Sequence, residues 1–273
     1  MAFVDENLPI PPATSWWHAS VAFADPRVDA ARALASALAK RRFHFLRKDA
    51  GVRLRTEQPA TGLLDQLVAD RVITGWTGGI YEPETYAFGG LEGMAVAHEV
   101  FCADSPAALA ETGVPGARER SVLLLSAMIR ATGLDPFEAG DVYAQWAALR
   151  PPVTPPQGPA LEQAVSAMRR LMNADAALRP DAEAGWVERV AAFEDAGRRL
   201  RRLAADGRLI RGIRGVLAHH AIFAFNRAGV PADAQAATAW LGRHVAFSTQ
   251  EGADVSTRKS ASADPSLPEW RPP

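Results

Sequence analysis

Between Arg150 and Pro159 the sequence reads Arg-Pro-Pro-Val-Thr-Pro-Pro-Gln-Gly-Pro, five prolines in ten residues. Each proline fixes φ and lacks an amide donor, so this stretch can be neither a helix interior nor a central strand. It reads as an extended connector over 151–160 between an N-terminal region, 1–150, and a helical region, 161–248. From about Thr249 to Pro273 the chain turns to Ser, Thr, Asp, Glu, Lys and Pro with few large apolar residues. Such a composition buries too little surface to offset ordering, and the reading is a disordered tail.

The region before the connector has mixed periodicity. Trp16 to Phe23 alternates like a half-buried strand, and Asp25-Pro26 opens an Ala-rich helix with Leu34 and Leu38 on one face. Phe43–Lys48 and Val52–Thr56 flank Asp49-Ala50-Gly51, a hairpin pattern. A short helix over Leu63–Asp70, a glycine-loosened strand at Thr77–Tyr81, a helix from Leu91 to Cys102 and a nearly all-apolar helix over Ser121–Ala131 follow. After the connector, Leu161, Ala164, Val165, Met168, Leu171 and Met172 keep the 3.6-residue period, as do Trp186, Val190, Phe193 and Leu200. Two last helices run over Leu209–Phe225 and Ala232–Phe247. The expected class is α+β: a small N-terminal sheet with packing helices, followed by a mainly α-helical C-terminal half. These regions are expected to form one integrated domain.

Composition excludes several functions. Thirty Lys+Arg against thirty-one Asp+Glu argue against a bulk nucleic-acid partner. A single cysteine, Cys102, excludes a disulfide framework or a Cys-rich metal module and fits a reducing compartment. Apolar runs are too short to span a bilayer and the N-terminus lacks a signal-peptide pattern, so the expected location is cytoplasmic. Phosphate-loop, dinucleotide and nucleophile-elbow motifs are absent, and His98-Glu99 lacks the second histidine of a zinc-protease helix. No metal or organic cofactor is expected.

Three segments carry chemistry. Arg47, Arg53 and Arg55 lie on the hairpin, and Arg53 and Arg55, two apart, share a face of their strand. Paired guanidiniums suit a carboxylate, although a solvated outer face reads the same way. Tyr81-Glu82-Pro83-Glu84-Thr85-Tyr86-Ala87-Phe88-Gly89-Gly90 joins aromatics, two carboxylates and a flexible Gly-Gly ahead of a helix. Glu82 and Glu84 are candidate acids or bases, or ordinary loop glutamates. Within Leu217–Arg227, His219 shares a helix face with Phe223 and Asn226, and His220 shares one with Arg227. Such imidazoles are either hydrogen-bonded core residues or a base lining a cleft.

In this order the hairpin, the Glu-Pro-Glu…Phe-Gly-Gly segment, His98-Glu99-Val100-Phe101…Asp104-Ser105 and Asn226-Arg227 resemble the thiopeptide-type bacteriocin biosynthesis family. That family is similar to the C-terminal domain of class I lantibiotic dehydratases. The resemblance runs from Trp16 to Phe247. It implies an enzyme acting on a ribosomally made precursor peptide, alongside a separate glutamylating dehydratase subunit, with oligomerisation open. The leading reading is elimination of glutamate from glutamylated Ser or Thr. Arg47, His219 and His220 would then be catalytic, and Arg53, Arg55, Tyr81, Glu82, Glu84, Asn226 and Arg227 would bind substrate. Two departures stand out: family members carry arginine before Gly-Gly where this chain has Pro83 and Ala87, and a histidine where it has Ile222. The alternatives are a [4+2] cycloaddition between two dehydroalanines that builds a pyridine, or a non-catalytic peptide-binding role.

Overall fold

The computed structural model of the protein describes residues 16–178 and 185–261. Strands β1 (Trp17–Phe23), β2 (Phe43–Lys48), β3 (Gly51–Thr56) and β4 (Ile73–Gly79) form an antiparallel sheet ordered β2-β3-β1-β4. Helix α1 (Arg27–Ala37) follows β1, and α2 (Thr61–Ala69) precedes β4. The expected α+β class is observed: from α3 (Leu91–Ala110) onward, every longer element is helical.

Alternation decides which side chains the sheet buries. Ala19, Val21, Phe23, Phe43, Phe45, Val52 and Leu54 point to one face and pack with Leu34 of α1 and Leu64 of α2. The register puts His18, Arg55 and His44 side by side on the opposite face, with Ser20, Arg53 and Leu46 as the next row. Polar residues on a sheet face need solvent or partners. Here α3 runs along β2 and brings the His98 ring against His44, while Ser20 and Arg53 remain exposed.

The second core is built by α4 (Ala117–Thr132), α5 (Pro136–Ala148), α6 (Pro159–Asn173), α7 (Trp186–Ala205), α8 (Ile213–Arg227) and α9 (Ala232–Ala261). Leu124, Leu125, Met128, Trp146, Phe193, Leu217 and Phe225 are buried together, and α3 adds Val96 and Val100. Helix α3 thus serves both cores. The prolines at 151–156 run without regular structure between α5 and α6. Helix α9 extends past Thr249, and residues 262–273 lie outside the described part.

Buried charge ties the two cores. Asp104 on α3, 1% exposed, accepts from Arg227 Nε of α8 at 2.6 Å and from Arg189 Nε of α7 at 2.7 Å. Arg189 also pairs with Glu111, which pairs with Arg120 Nε at 3.0 Å. The connection from β4 into α3 turns at Gly89 and Gly90, whose φ angles are 85° and 104°. A side chain at Gly89 would also sit 2.9 Å from Leu209, so glycine is required by both conformation and space.

Candidate functional site

The residues on the polar sheet face gather around Tyr81, which follows β4, and His44, Arg55, His98 and Trp16 are buried there. The Arg55 guanidinium stacks over its ring at 4.9 Å, and the His44 ring lies 5.6 Å away. The Tyr81 hydroxyl meets His98 Nε2 of α3 at 2.9 Å. Trp16 closes the cluster, 4.6 Å from His44 and 5.3 Å from His98 by ring centroids. Trp16 Nε1, His18 Nδ1, His44 Nε2 and Arg55 Nε are buried without a hydrogen-bond partner. Unpartnered buried polar atoms are costly, and four in one neighbourhood mark a place where structure yields to another requirement. At the edge of the cluster lie the half-buried Tyr81 and the exposed Arg53, Glu82, Glu84, Tyr86 and Ile80.

The protonation states follow from burial and from neighbouring cations. Burial, then Arg42 and Arg55, lowers His98 to about 4. Burial, then Arg55 and His98, holds His44 well below the usual imidazole range. Burial pushes Tyr81 up to about 12, with Glu84 adding and Arg55 opposing. Burial brings Arg55 down to about 10, which leaves it a cation at neutral pH. Moving the Tyr81 proton onto His98 across the interval between about 12 and about 4 would cost on the order of 10 kcal/mol. The pair therefore shares a hydrogen bond, with no charge separation.

The expected residues land in three places. Arg55, Arg53, Tyr81 and Glu84 come together on the sheet side, and Glu82 is exposed beside them. Arg47 points elsewhere: its Nε donates to Arg227 O at 2.9 Å, and one terminal nitrogen donates to Ala108 O at 3.2 Å and Thr112 Oγ1 at 2.8 Å. Asn226 Oδ1 accepts from the Arg47 amide at 2.9 Å, and Arg227 is fully buried against Asp104 with its guanidinium 4.6 Å from the Phe101 ring. These three residues hold α8 to β2 and α3. His219 and His220 lie beyond Phe88, 6.2 Å and 5.0 Å from its ring. Phe88, Phe101 and Phe223 form an aromatic block between these imidazoles and the Tyr81 cluster.

His219 Nδ1 accepts from Arg211 at 3.0 Å, and burial together with that cation lowers its affinity for protons. Burial brings His220 down to about 3, and neither of its nitrogens has a partner. Arg211 also donates to the Ala87 carbonyl at 3.1 Å, so a guanidinium does reach the segment before Gly-Gly, from a different element. Ile222 packs against the aromatic block.

Sequence reasoning missed Trp16, His18, His44 and His98 as members of the cluster. His44 was legible in principle: it sits in the strand register opposite Arg55, and pairing the hairpin about Asp49-Ala50-Gly51 would have found it. His98 could not be placed without the packing of α3. Among the described residues no group of His, Cys, Asp and Glu is arranged to hold a metal, and no helix is long and apolar enough to cross a membrane. Cys102 is half-buried, with its thiol pushed up to about 12 by burial, which leaves it protonated and unreactive.

Comparisons with known proteins agree with this architecture. Residues 16–246 match the family model described as lantibiotic biosynthesis dehydratase C-term. No curated protein matches the sequence. Among solved structures, the fold is similar to the crystal structure of the tRNA-dependent lantibiotic dehydratase MibB from Microbispora sp. 107891, with a TM-score of 0.58 and 18% identity. The match covers 90% of this chain and 29% of that one, so the chain spans less than a third of the dehydratase.

Proposed function

The chain belongs to the lantibiotic biosynthesis dehydratase C-terminal family, and from that premise we propose that it tailors a ribosomally made precursor peptide by joining two dehydroalanines in a formal [4+2] cycloaddition. The observation that carries this reading is that, among the described residues, burial and neighbouring arginines lower every imidazole of the Tyr81 cluster, His18, His44 and His98. Glutamate elimination removes a Cα proton, which calls for a base titrating near neutrality. His98 is lowered to about 4 and His44 is held well below its usual range, so both are neutral and weakly basic. His219 is occupied by Arg211 and His220 is enclosed behind Phe88. Arg47, which elimination would use to hold the departing glutamate, directs its donors to protein oxygens.

Cycloaddition makes other demands. Two alkenes of one peptide are held in contact, one of them as the 2-azadiene tautomer of its amide, and two carbon–carbon bonds form. Loss of water and then of the leader as an amide leaves the pyridine. Proximity supplies most of the acceleration for such a step. Arg55 offers a cationic donor for a peptide carbonyl, and the half-buried Tyr81 offers a hydroxyl oxygen beside it, backed by the buried rings of Trp16 and His44. A separate dehydratase would supply the dehydroalanines.

Elimination remains the second reading, favoured by one observation: Arg53 and Arg55 stand on the sheet face with the Glu84 carboxylate near Arg55. The two readings separate by mass. The protein is incubated with a dehydrated precursor and, in parallel, with its glutamylated form. Loss of leader plus water from the first, with new pyridine absorbance, is expected. Release of glutamate from the second with no change in the first would replace cycloaddition by elimination. Binding without any mass change would leave a carrier role.

A further inference from the structure

Tyr81 and His98 are 17 residues apart in sequence and meet through a single 2.9 Å contact. Chemistry favours one direction for that hydrogen bond. A phenol O–H is a stronger donor than an imidazole N–H, and a neutral imidazole nitrogen is a stronger acceptor than a phenol oxygen. Tyr81 therefore donates to His98 Nε2, and the lone pairs of the Tyr81 oxygen turn away from α3. The ring has little freedom to undo this, because Arg55 stacks on it at 4.9 Å and His44 lies 5.6 Å from it. His98 is itself held between Trp16, at 5.3 Å, and His44, at 5.3 Å between ring centroids.

We infer that His98 is a positioning residue: by accepting the Tyr81 O–H it presents the phenol oxygen as a hydrogen-bond acceptor at the edge of the cluster, where it takes a backbone N–H of the peptide substrate. Arg55, immediately beside it, donates to the carbonyl of the same or the next peptide unit. An acceptor and a cationic donor side by side match the N–H and C=O of an extended peptide, and they recognise it without regard to side chain. This inference rests on the proposed peptide substrate and assigns how one part of it is read.

The test uses the full chain with the substitutions His98→Phe, which keeps a flat ring without an acceptor, His98→Gln, which restores one, and Tyr81→Phe. Circular dichroism establishes that each is folded. Ultraviolet resonance Raman, taken as wild type minus Tyr81→Phe, reports whether the Tyr81 phenol donates. A donor signature is expected in the wild type, absent in His98→Phe and regained in His98→Gln. With dehydrated precursor peptide, His98→Phe and Tyr81→Phe should each raise KM about tenfold, the loss of one hydrogen bond. Their kcat should stay within about twofold, and the double variant should be no worse than either single one. A donor signature that survives His98→Phe overturns the inference whether or not the peptide is processed. Additive effects in the double variant also overturn it. Intact Raman behaviour in a protein that binds no peptide would sink the proposed substrate and, with it, the reading role of Tyr81.

Discussion

Replacing Asp104 by asparagine keeps the size of the side chain and removes a fully buried carboxylate that two buried arginines share. Asp104 is 1% exposed and receives Arg189 at 2.7 Å and Arg227 at 2.6 Å. Arg189 would retain Glu111, at 3.1 Å. Arg227 would retain nothing of opposite charge, since its other two nitrogens have no partner and it is 0% exposed. Leaving one such cation unpaired costs about 3–5 kcal/mol, a large fraction of the roughly 5–15 kcal/mol that holds a domain folded. Urea unfolding followed by tryptophan fluorescence measures the change. A loss under about 1 kcal/mol would refute the claim that this carboxylate holds the two cores together. Replacing Asp104 and Arg227 together by leucine and methionine should recover most of the loss, because no buried charge is then left unpaired.

Three other outcomes are expected. Acidification should destabilise the protein between about pH 6.5 and pH 4, where unfolded histidines bind protons that folded His98 and His220, lowered to about 4 and about 3, do not. The unfolded state binds more protons across that window, so stability measured by thermal melts should rise with pH and level off above pH 6.5. Arg47→Ala should lower Tm by several degrees while the folded protein keeps its kcat, since Arg47 bonds only to protein atoms; a lost kcat with an unchanged Tm would return Arg47 to catalysis. Gly93→Ala would set a methyl 1.9 Å from the Phe88 carbonyl, and it should shift the Tyr81–Gly90 segment and cost more than about 2 kcal/mol by chemical denaturation.

The elements were largely legible because their signals are local. The hairpin β2–β3, the strand β1 and the helices α1, α3, α6 and α7 each carry a period of 2 or 3.6 or a turn residue of their own. Helix α5 escaped the reading even though Asp135 and Glu138 form a capping box at its start, with Pro136 in the first turn. The site was legible only in part. Arg55 and Tyr81 are signalled by their own spacing. His44 and His98 carry no site signal of their own until the register and the packing of α3 bring them to Tyr81. Arg47 is the opposite case: it looks like its neighbours on the hairpin, but its parity places it with Phe43 and Phe45.

The central claim is that the cluster around Tyr81 acts by holding a peptide and not by removing a proton. The pH dependence of kcat, followed by mass spectrometry of the product from a dehydrated precursor between pH 6 and pH 9, tests it most directly. A flat profile is expected, because His98 and Tyr81 titrate at about 4 and about 12. A limb with an apparent pKa near 6.5 that disappears in His219→Ala would contradict it and place the chemistry on α8.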